Sequence, residues 1–487
     1  MTRSHRTWHV LTAVAAAGLL LAGCTWGGSA HKAVATRPNI VFVLTDDLAP
    51  NLLPYLPHVQ AMQKAGSTMS NYYVVDSLCC PSRTAIFTGE YPHDDGVFTN
   101  SGNDGGYDAF VKHGNDPKTF AVATHKAGYR TGFMGKYLNR YQPTDPVPQG
   151  WDEWDGTGNA YKEFNYQLNE NGTVHRYGKD PKDYLTDVVS RKAVSFIDGS
   201  AAAGKPFVLE VATFAPHRPS IPAPRDAHRF PGLTAPRTPA YDALPTGAPA
   251  WLQRIPPLTP RDTADMDHEY RKRAQSVIAV DDMIGRIQQE LRAKGLADNT
   301  YLVFSSDNGY HMGEHRMRPG KMTAFDTDIK VPLVVTGPGV PSGSTVSQLA
   351  SSIDLAPTFE TIGGARVPPT VDGTSLLPLW HGSSPPGAWQ QAVLVEHHGP
   401  EFGSGDPDTT PAANGNPPTY AAIRTATSLF VQYDSGEREL YDTTIDPDEL
   451  HNLAGPAALA RAAPLQHTLT ALVNCHNAAA CQAAARI

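Results

Sequence analysis

Ile40-Val41-Phe42-Val43-Leu44-Thr45-Asp46-Asp47 joins an unbroken apolar run to two adjacent carboxylates. Such a run, bounded by polar residues, reads as a strand buried on both faces, the kind that forms the central parallel sheet of an α/β domain. Its carboxylates then stand at the strand's C-terminal end, where open α/β sheets bind their ligands. Side by side they repel each other unless a cation lies near, and a hard divalent ion is the simplest one. Residues 130–134, 207–214 and 301–305 repeat the apolar pattern. Each leads into polar chemistry: Gly135-Lys136 after the first, Ala215-Pro216-His217 after the second, and Ser306-Asp307-Asn308-Gly309-Tyr310-His311 after the third. Residues 329–335 suggest a further strand, and residues 265–294 the clearest helix. On it Val277, Val280, Ile284, Ile287 and Leu291 share one face, and Gly295 caps its end.

At 487 residues the chain exceeds what one hydrophobic core usually holds. A boundary near residue 385 divides a catalytic domain at 37–385 from a smaller C-terminal domain at 386–487. Residues 393–396, 421–425, 429–433 and 439–442 read there as a small antiparallel sheet, with a closing helix at 456–473. The 42 glycines and 42 prolines exclude a helical bundle and point to a loop-rich fold framing a site. Residues 231–260, crowded with proline, read as a long ordered loop over that site. A net charge of −8 with 18% charged residues argues against a nucleic-acid partner.

The N-terminus carries Arg3, His5 and Arg6, then an apolar run at 10–21 that is short for a bilayer span. It ends in Leu21-Ala22-Gly23-Cys24, which resembles a bacterial lipoprotein cleavage box. Residues 1–24 are therefore expected to be a lipoprotein signal with Cys24 as the lipidated first residue of the mature chain. The protein would be exported and tethered to the outer side of the cell membrane through that lipid alone, with residues 25–36 as a linker. Cys475 and Cys481 are spaced so that a small disulfide loop is permitted in an oxidising compartment.

Asp46, Asp47, Asp307 and Asn308 offer oxygen donors from two strand ends, a set that favours calcium, and after it magnesium, over zinc. Arg83, Lys136, His217 and Lys321 supply the positive charge an oxyanion would need. The layout suits sulfuryl or phosphoryl transfer, in which positioning and charge stabilisation are the protein's main tasks.

Leu78-Cys79-Cys80-Pro81-Ser82-Arg83-Thr84-Ala85-Ile86-Phe87-Thr88-Gly89 turns this layout toward one chemistry. Taken alone it is a pair of thiols before a short helix with Pro81 in its first turn. It also resembles the type I sulfatase signature, a cysteine, any residue, then Pro-Ser-Arg with Thr-Gly following, in which the first cysteine is oxidised to formylglycine. The resemblance covers most of residues 37–455. It implies an alkaline-phosphatase-like α/β core with a mostly parallel sheet flanked by helices, plus the smaller C-terminal domain. It also implies calcium bound by Asp46, Asp47, Asp307, Asn308 and the formylglycine made from Cys79, with Arg83 steadying that residue and Lys136, His217 and Lys321 touching the sulfate. A formylglycine-generating or other maturing enzyme becomes a necessary partner, and buried Cys80 a small apolar residue.

The implied chemistry begins with the hydrated aldehyde at 79. One hydroxyl attacks sulfur and expels the alcohol, which His217 or Lys321 protonates, and collapse to the aldehyde then ejects sulfate. Gly-Lys-Tyr-Leu-Asn at 135–139, Ser-Asp-Asn-Gly-Tyr-His at 306–311 and Ile-Lys-Val-Pro-Leu at 329–333 look like the N-acetylglucosamine-6-sulfatase branch, so the expected substrate is a sulfated carbohydrate or aryl alcohol. Two positions depart from the family pattern: Leu138 stands where many members have a histidine, and Glu90 where a basic residue commonly follows Thr-Gly. A phosphonate or phosphate ester hydrolase of the same superfamily, and a non-catalytic lipoprotein that binds sulfated glycans, are the alternatives.

Overall fold

The computed structural model of the chain describes residues 37–383, 388–399, 408, 415–455 and 459–487, with no account of the side chains of 459–461. The signal segment with Cys24, the linker at 25–36 and the boundary residue 385 lie outside the described residues.

The apolar run of the opening stretch forms Asn39–Asp46, buried along its whole length. Phe207–Pro216 lies parallel on one side and Thr300–Ser306 parallel on the other. Arg130–Lys136 and then Glu153–Thr157 extend the parallel set beyond Phe207–Pro216. The edges are mixed. Gln167–Glu170 and Thr173–Arg176 add antiparallel strands at one end, and Leu333–Thr336, Ser67–Met69 and Ser344–Val346 complete a ten-stranded sheet at the other. Parallel strands buried on both faces need no polar alternation, which is why they appear as plain apolar runs.

The helix expected at 265–294 starts earlier, at Pro260, and runs to Ala293. Thr259 caps it reciprocally with Asp262, and Pro260 fills the first turn, where its missing N–H is no loss. Val277, Val280, Ile284, Ile287 and Leu291 pack from this helix into the core on one face of the sheet. The strand expected at 329–335 is shorter than the sequence suggests: Asp326–Ile329 is a turn of helix, and the strand begins only at Leu333, after Pro332. It also runs antiparallel to Thr300–Ser306. The helix after Leu78 starts earlier than expected, since Cys79 already belongs to it. Leu78 is extended, the helix spans Cys79–Thr88, and Gly89 closes it at φ 72° with its N–H on the Ala85 carbonyl.

The C-terminal part is a four-stranded antiparallel sheet of Ala392–His397, Tyr420–Thr425, Ser428–Tyr433 and Arg438–Asp442, with the helix Leu459–Leu472 against it. Leu394, Ile423, Phe430 and Leu440 from this sheet share a hydrophobic cluster with Val75, Ala85 and Tyr91, so the sheet packs against the helix Cys79–Thr88 and its flanks. Cys475 and Cys481 are joined in a disulfide. Among the described residues no helix is long and apolar enough to cross a membrane.

Candidate active site

The parallel strands end at one edge of the sheet and deliver their terminal residues there. Asp46 closes Asn39–Asp46, Lys136 closes Arg130–Lys136, His217 follows Phe207–Pro216, and Asp307-Asn308 follows Thr300–Ser306. Two backbone details make the convergence possible. Asp47 adopts φ 66°, a left-handed turn that aspartate tolerates better than most residues. Gly135 has φ 106°, and a Cβ there would stand 1.9 Å from the Ala212 carbonyl oxygen, so only glycine lets the Lys136 strand lie this close to its neighbour.

The helix Cys79–Thr88 meets this edge with its first residue. Cys79 Sγ lies 3.1 Å from Asp46 Oδ1 and 2.8 Å from Lys321 Nζ. Lys136 Nζ is 2.5 Å from Asp46 Oδ2, and Lys321 Nζ is 2.6 Å from Asp47 Oδ1. Asn308 donates through Nδ2 to Asp47 Oδ1 at 2.7 Å, and Arg83 Nε donates to Asp307 Oδ2 at 2.8 Å. Arg83 Nη1 also donates to the Lys136 carbonyl at 2.8 Å, locking the helix to the strand end. Arg273 donates to the Asp47 carbonyl, and the Tyr161 ring lies against both Lys136 and His217. All nine residues picked from the sequence for catalysis or metal binding, Asp46, Asp47, Cys79, Arg83, Lys136, His217, Asp307, Asn308 and Lys321, belong to this one network, and none exposes more than 2% of its surface. Charges so deeply buried are hardly screened by solvent, and each is held by its partners.

Burial alone would raise the carboxyl of Asp46, but Lys136, with His217, Arg83 and Lys321, overrides it and holds the group below the ordinary carboxylate range. Asp307 is pushed up to about 6 by burial and by the Asp46 charge, against the pull of Arg83. His217 is raised because Asp47, Asp408 and Asp46 outweigh its desolvation, so the ring favours the charged form. Burial first, then Asp307, Asp408 and Asp46, raise the Cys79 thiol well above its ordinary value, although Lys321 is in contact with the sulfur. An unmodified Cys79 is thus held as a thiol, the weakly nucleophilic form.

Calcium or magnesium suits the donors at this edge. Asn308 Oδ1 is buried and has no hydrogen-bond partner among the described residues, while its amide nitrogen is spent on Asp47 and Gly309. An orphaned carbonyl oxygen costs about 1–3 kcal/mol, a cost that a cation on its lone pairs removes. With the carboxylates of Asp46, Asp47 and Asp307 beside it, the donor set is all oxygen and fits a hard ion.

Residues without a sequence signal complete the site. Asp408 lies 3.6 Å from Cys79 Sγ through Oδ2. Its Oδ1 is 2.7 Å from His217 Nε2 and 3.0 Å from Lys321 Nζ. Asn100 donates to Asp408 Oδ2 at 2.8 Å and accepts from the Cys80 N–H at 2.9 Å. A carboxylate of the chain itself therefore occupies the place where three donors converge beside residue 79. The two departures from the family pattern have local explanations. Leu138 is buried in the main hydrophobic core and has no polar role to fill. Glu90 pairs with Lys118 at 2.9 Å, which neutralises it locally. Cys80 is fully buried in the same core, as expected.

Comparison with known proteins bears on this geometry. Residues 38–365 match the Sulfatase family model, and residues 313–474 match N-sulphoglucosamine sulphohydrolase, C-terminal. The N-acetylglucosamine-6-sulfatase of Homo sapiens is 35% identical over 468 residues, which span 90% of this chain and 84% of that protein. The N-acetylglucosamine-6-O-sulfatase of Bacteroides thetaiotaomicron is 28% identical, spanning 91% of this chain and 87% of its own. Among solved structures, a protein in complex with its substrate D-glucosamine-2-N,6-O-disulfate superimposes with a TM-score of 0.76 at 24% identity, covering 90% of this chain and 97% of that one. The phosphonate monoester hydrolase of Silicibacter pomeroyi gives a TM-score of 0.67 at 23% identity, covering 89% and 94%. These two structural likenesses establish the fold: a large, mostly parallel sheet with a separate antiparallel C-terminal sheet.

Proposed function

The chain belongs to the sulfatase family and is a sulfuric ester hydrolase, and from that premise we propose that it removes 6-O-sulfate from N-acetylglucosamine or glucosamine units of a sulfated glycan. The convergence of His217, Lys321 and Asn100 on a carboxylate beside Cys79 carries the reading, because those groups are what a sulfate would need there. In this reading the catalytic part is 37–385, the smaller part 386–487, and the protein is exported, lipidated at Cys24 and matured at Cys79 by a separate enzyme.

Formylglycine at 79 would supply a hydrated aldehyde as nucleophile, and calcium on the oxygens of Asp46, Asp47, Asp307 and Asn308 would supply charge neutralisation. The chain's own residues do the rest. Lys321, His217 and Asn100 hold the sulfate oxygens in the place that Asp408 otherwise takes. Lys136 keeps Asp46 ionised, and Arg83 keeps Asp307 in position, with Nη2 still unpartnered among the described residues and directed to residue 79 in our reading. An alkoxide at O6 is a poor leaving group, so it needs a proton, and charged His217 or Lys321 carries one.

Two measurements on one preparation test this reading: mass spectrometry of the peptide containing residue 79, and sulfate release from N-acetylglucosamine-6-sulfate, its 3-sulfate isomer and a phosphonate monoester. We expect the aldehyde mass, preference for the 6-sulfate, and loss of activity in Cys79→Ala. An unmodified cysteine in active protein, or full activity in Cys79→Ala, would overturn the mechanism, and faster cleavage of the phosphonate would favour the alternative hydrolase.

A further inference from the structure

We propose that His93, Asp94 and His476 form a second metal site, suited to Zn2+ or a similar nitrogen-preferring divalent ion, which clamps the C-terminal disulfide loop to the segment just beyond the nucleophile helix. His93 and Asp94 lie on the short helix Pro92–Asp95, and His476 follows Cys475 in the loop closed by the Cys475–Cys481 disulfide. One ligand atom from each of the three lies within 4.8 Å of the others, although His476 and Asp94 are 382 residues apart in sequence. The Asp94 carboxylate sits between the rings. Its Oδ1 is 2.5 Å from His476 Nδ1 and its Oδ2 3.8 Å from His93 Nε2.

Three further observations separate this cluster from an ordinary surface ion pair. First, His93 Nδ1 is 2.8 Å from Glu396 Oε2. A carboxylate on the far nitrogen is the arrangement that orients metal-binding imidazoles and directs the other nitrogen to the ion. Second, the loop that presents His476 is anchored by the two residues that follow it: Asn477 N–H donates to Asp372 Oδ1 and Ala478 N–H to the Val371 carbonyl, each at 2.7 Å. Third, a surface pocket of about 270 Å³ opens beside Asp94 and His476, with Glu90, Lys118 and Asn477 in its wall, which leaves room for water to complete the coordination.

Two imidazoles and one carboxylate are a donor set for zinc or its transition-metal neighbours. The oxygen-only set at Asp46, Asp47, Asp307 and Asn308 is chemically different, so the two sites should sort their ions. In this structure His93 Nε2 lies 2.9 Å from the Cys475 carbonyl. Binding replaces this hydrogen bond, and the one between His476 Nδ1 and Asp94 Oδ1, by bonds to the metal, and the proton in each leaves to solvent.

The test uses the full matured chain, freed of metal with a chelator and then kept in excess Ca2+ so that the oxygen site is filled. Zn2+ is added, and bound zinc is counted after equilibrium dialysis for the wild type, His476→Ala and Asp94→Asn. The His476 side chain is 68% exposed, so its removal leaves the fold intact. We expect one zinc more per wild-type chain than per variant chain at micromolar free Zn2+, and a thermal midpoint that zinc raises by about 2–4 °C in the wild type only. Equal zinc binding in wild type and His476→Ala, or an equal shift of midpoint in both, would overturn the proposal.

Discussion

Replacing Glu210 by glutamine should stabilise the protein at neutral pH and do so progressively less toward pH 4.5. Glu210 lies in the middle of Phe207–Pro216, opposite Phe42 on one neighbouring strand and Phe133 on the other. It is fully buried, and neither carboxylate oxygen has a hydrogen-bond partner among the described residues. Burial lifts its pKa from an ordinary 4.5 to about 8, against the opposing pull of Arg83. Between those two values the unfolded chain releases a proton that the folded chain retains, so stability falls as pH rises through the window. Each pH unit is worth about 1.4 kcal/mol, which brings the loss at pH 7 to about 3 kcal/mol. Glutamine does not titrate, so any constant effect of its unpartnered amide separates cleanly from the pH-dependent part. The assay is urea unfolding of wild type and Glu210→Gln from pH 4.5 to 7.5, followed by tryptophan fluorescence. The stability difference should grow in favour of the variant by about 3 kcal/mol between pH 4.5 and 7. A difference that stays constant across this range would show that Glu210 does not hold its proton, and would refute the reasoning.

Three further outcomes follow from the site and its surroundings. Asn308→Leu removes the orphaned buried oxygen, so the calcium concentration giving half-maximal activity should rise about tenfold or more, equivalent to about 1.4 kcal/mol; an unchanged requirement would remove Asn308 from the ion site. Asp408→Asn withdraws the carboxylate that competes for His217 and Lys321, so inhibition by inorganic sulfate should tighten by about tenfold, again about 1.4 kcal/mol, and weaker inhibition would instead give Asp408 a part in binding the anion. Lys118→Ala strands the Glu90 carboxylate, whose side chain is 2% exposed, and should cost about 1–3 kcal/mol in denaturant unfolding at neutral pH. Adding Glu90→Gln should recover much of that loss, and no recovery would mean that the pair matters only through packing.

What the sequence by itself determined was whatever is encoded in short, contiguous stretches. Residues 40–44, 130–134, 207–214 and 301–305 announce buried strands because a doubly covered parallel strand has no polar face to interrupt it. Their C-terminal neighbours Asp46-Asp47, Lys136, His217 and Asp307-Asn308 could be placed at one edge for the same reason: parallel strands end together. The Cys79 string is legible because its information lies within twelve consecutive residues. Boundaries were less so, as where a turn of helix at Asp326–Ile329 delays the next strand to Leu333, since local geometry there depends on packing that periodicity does not record.

Only the tertiary structure decided which distant groups share a space. Asp408 stands 329 residues from Cys79 and 191 from His217, in a stretch whose glycines, prolines and threonines carry no pattern of burial. Asn100, the Tyr161 ring and the pairing of Lys118 with Glu90 are equally invisible along the chain, as is the meeting of His93 and Asp94 with His476. The physical reason is the same in each case. A strand or a short buried helix is specified by the free energy of burying its own residues, whereas a salt bridge or a cluster of polar side chains between remote segments exists only once the sheet has set their positions.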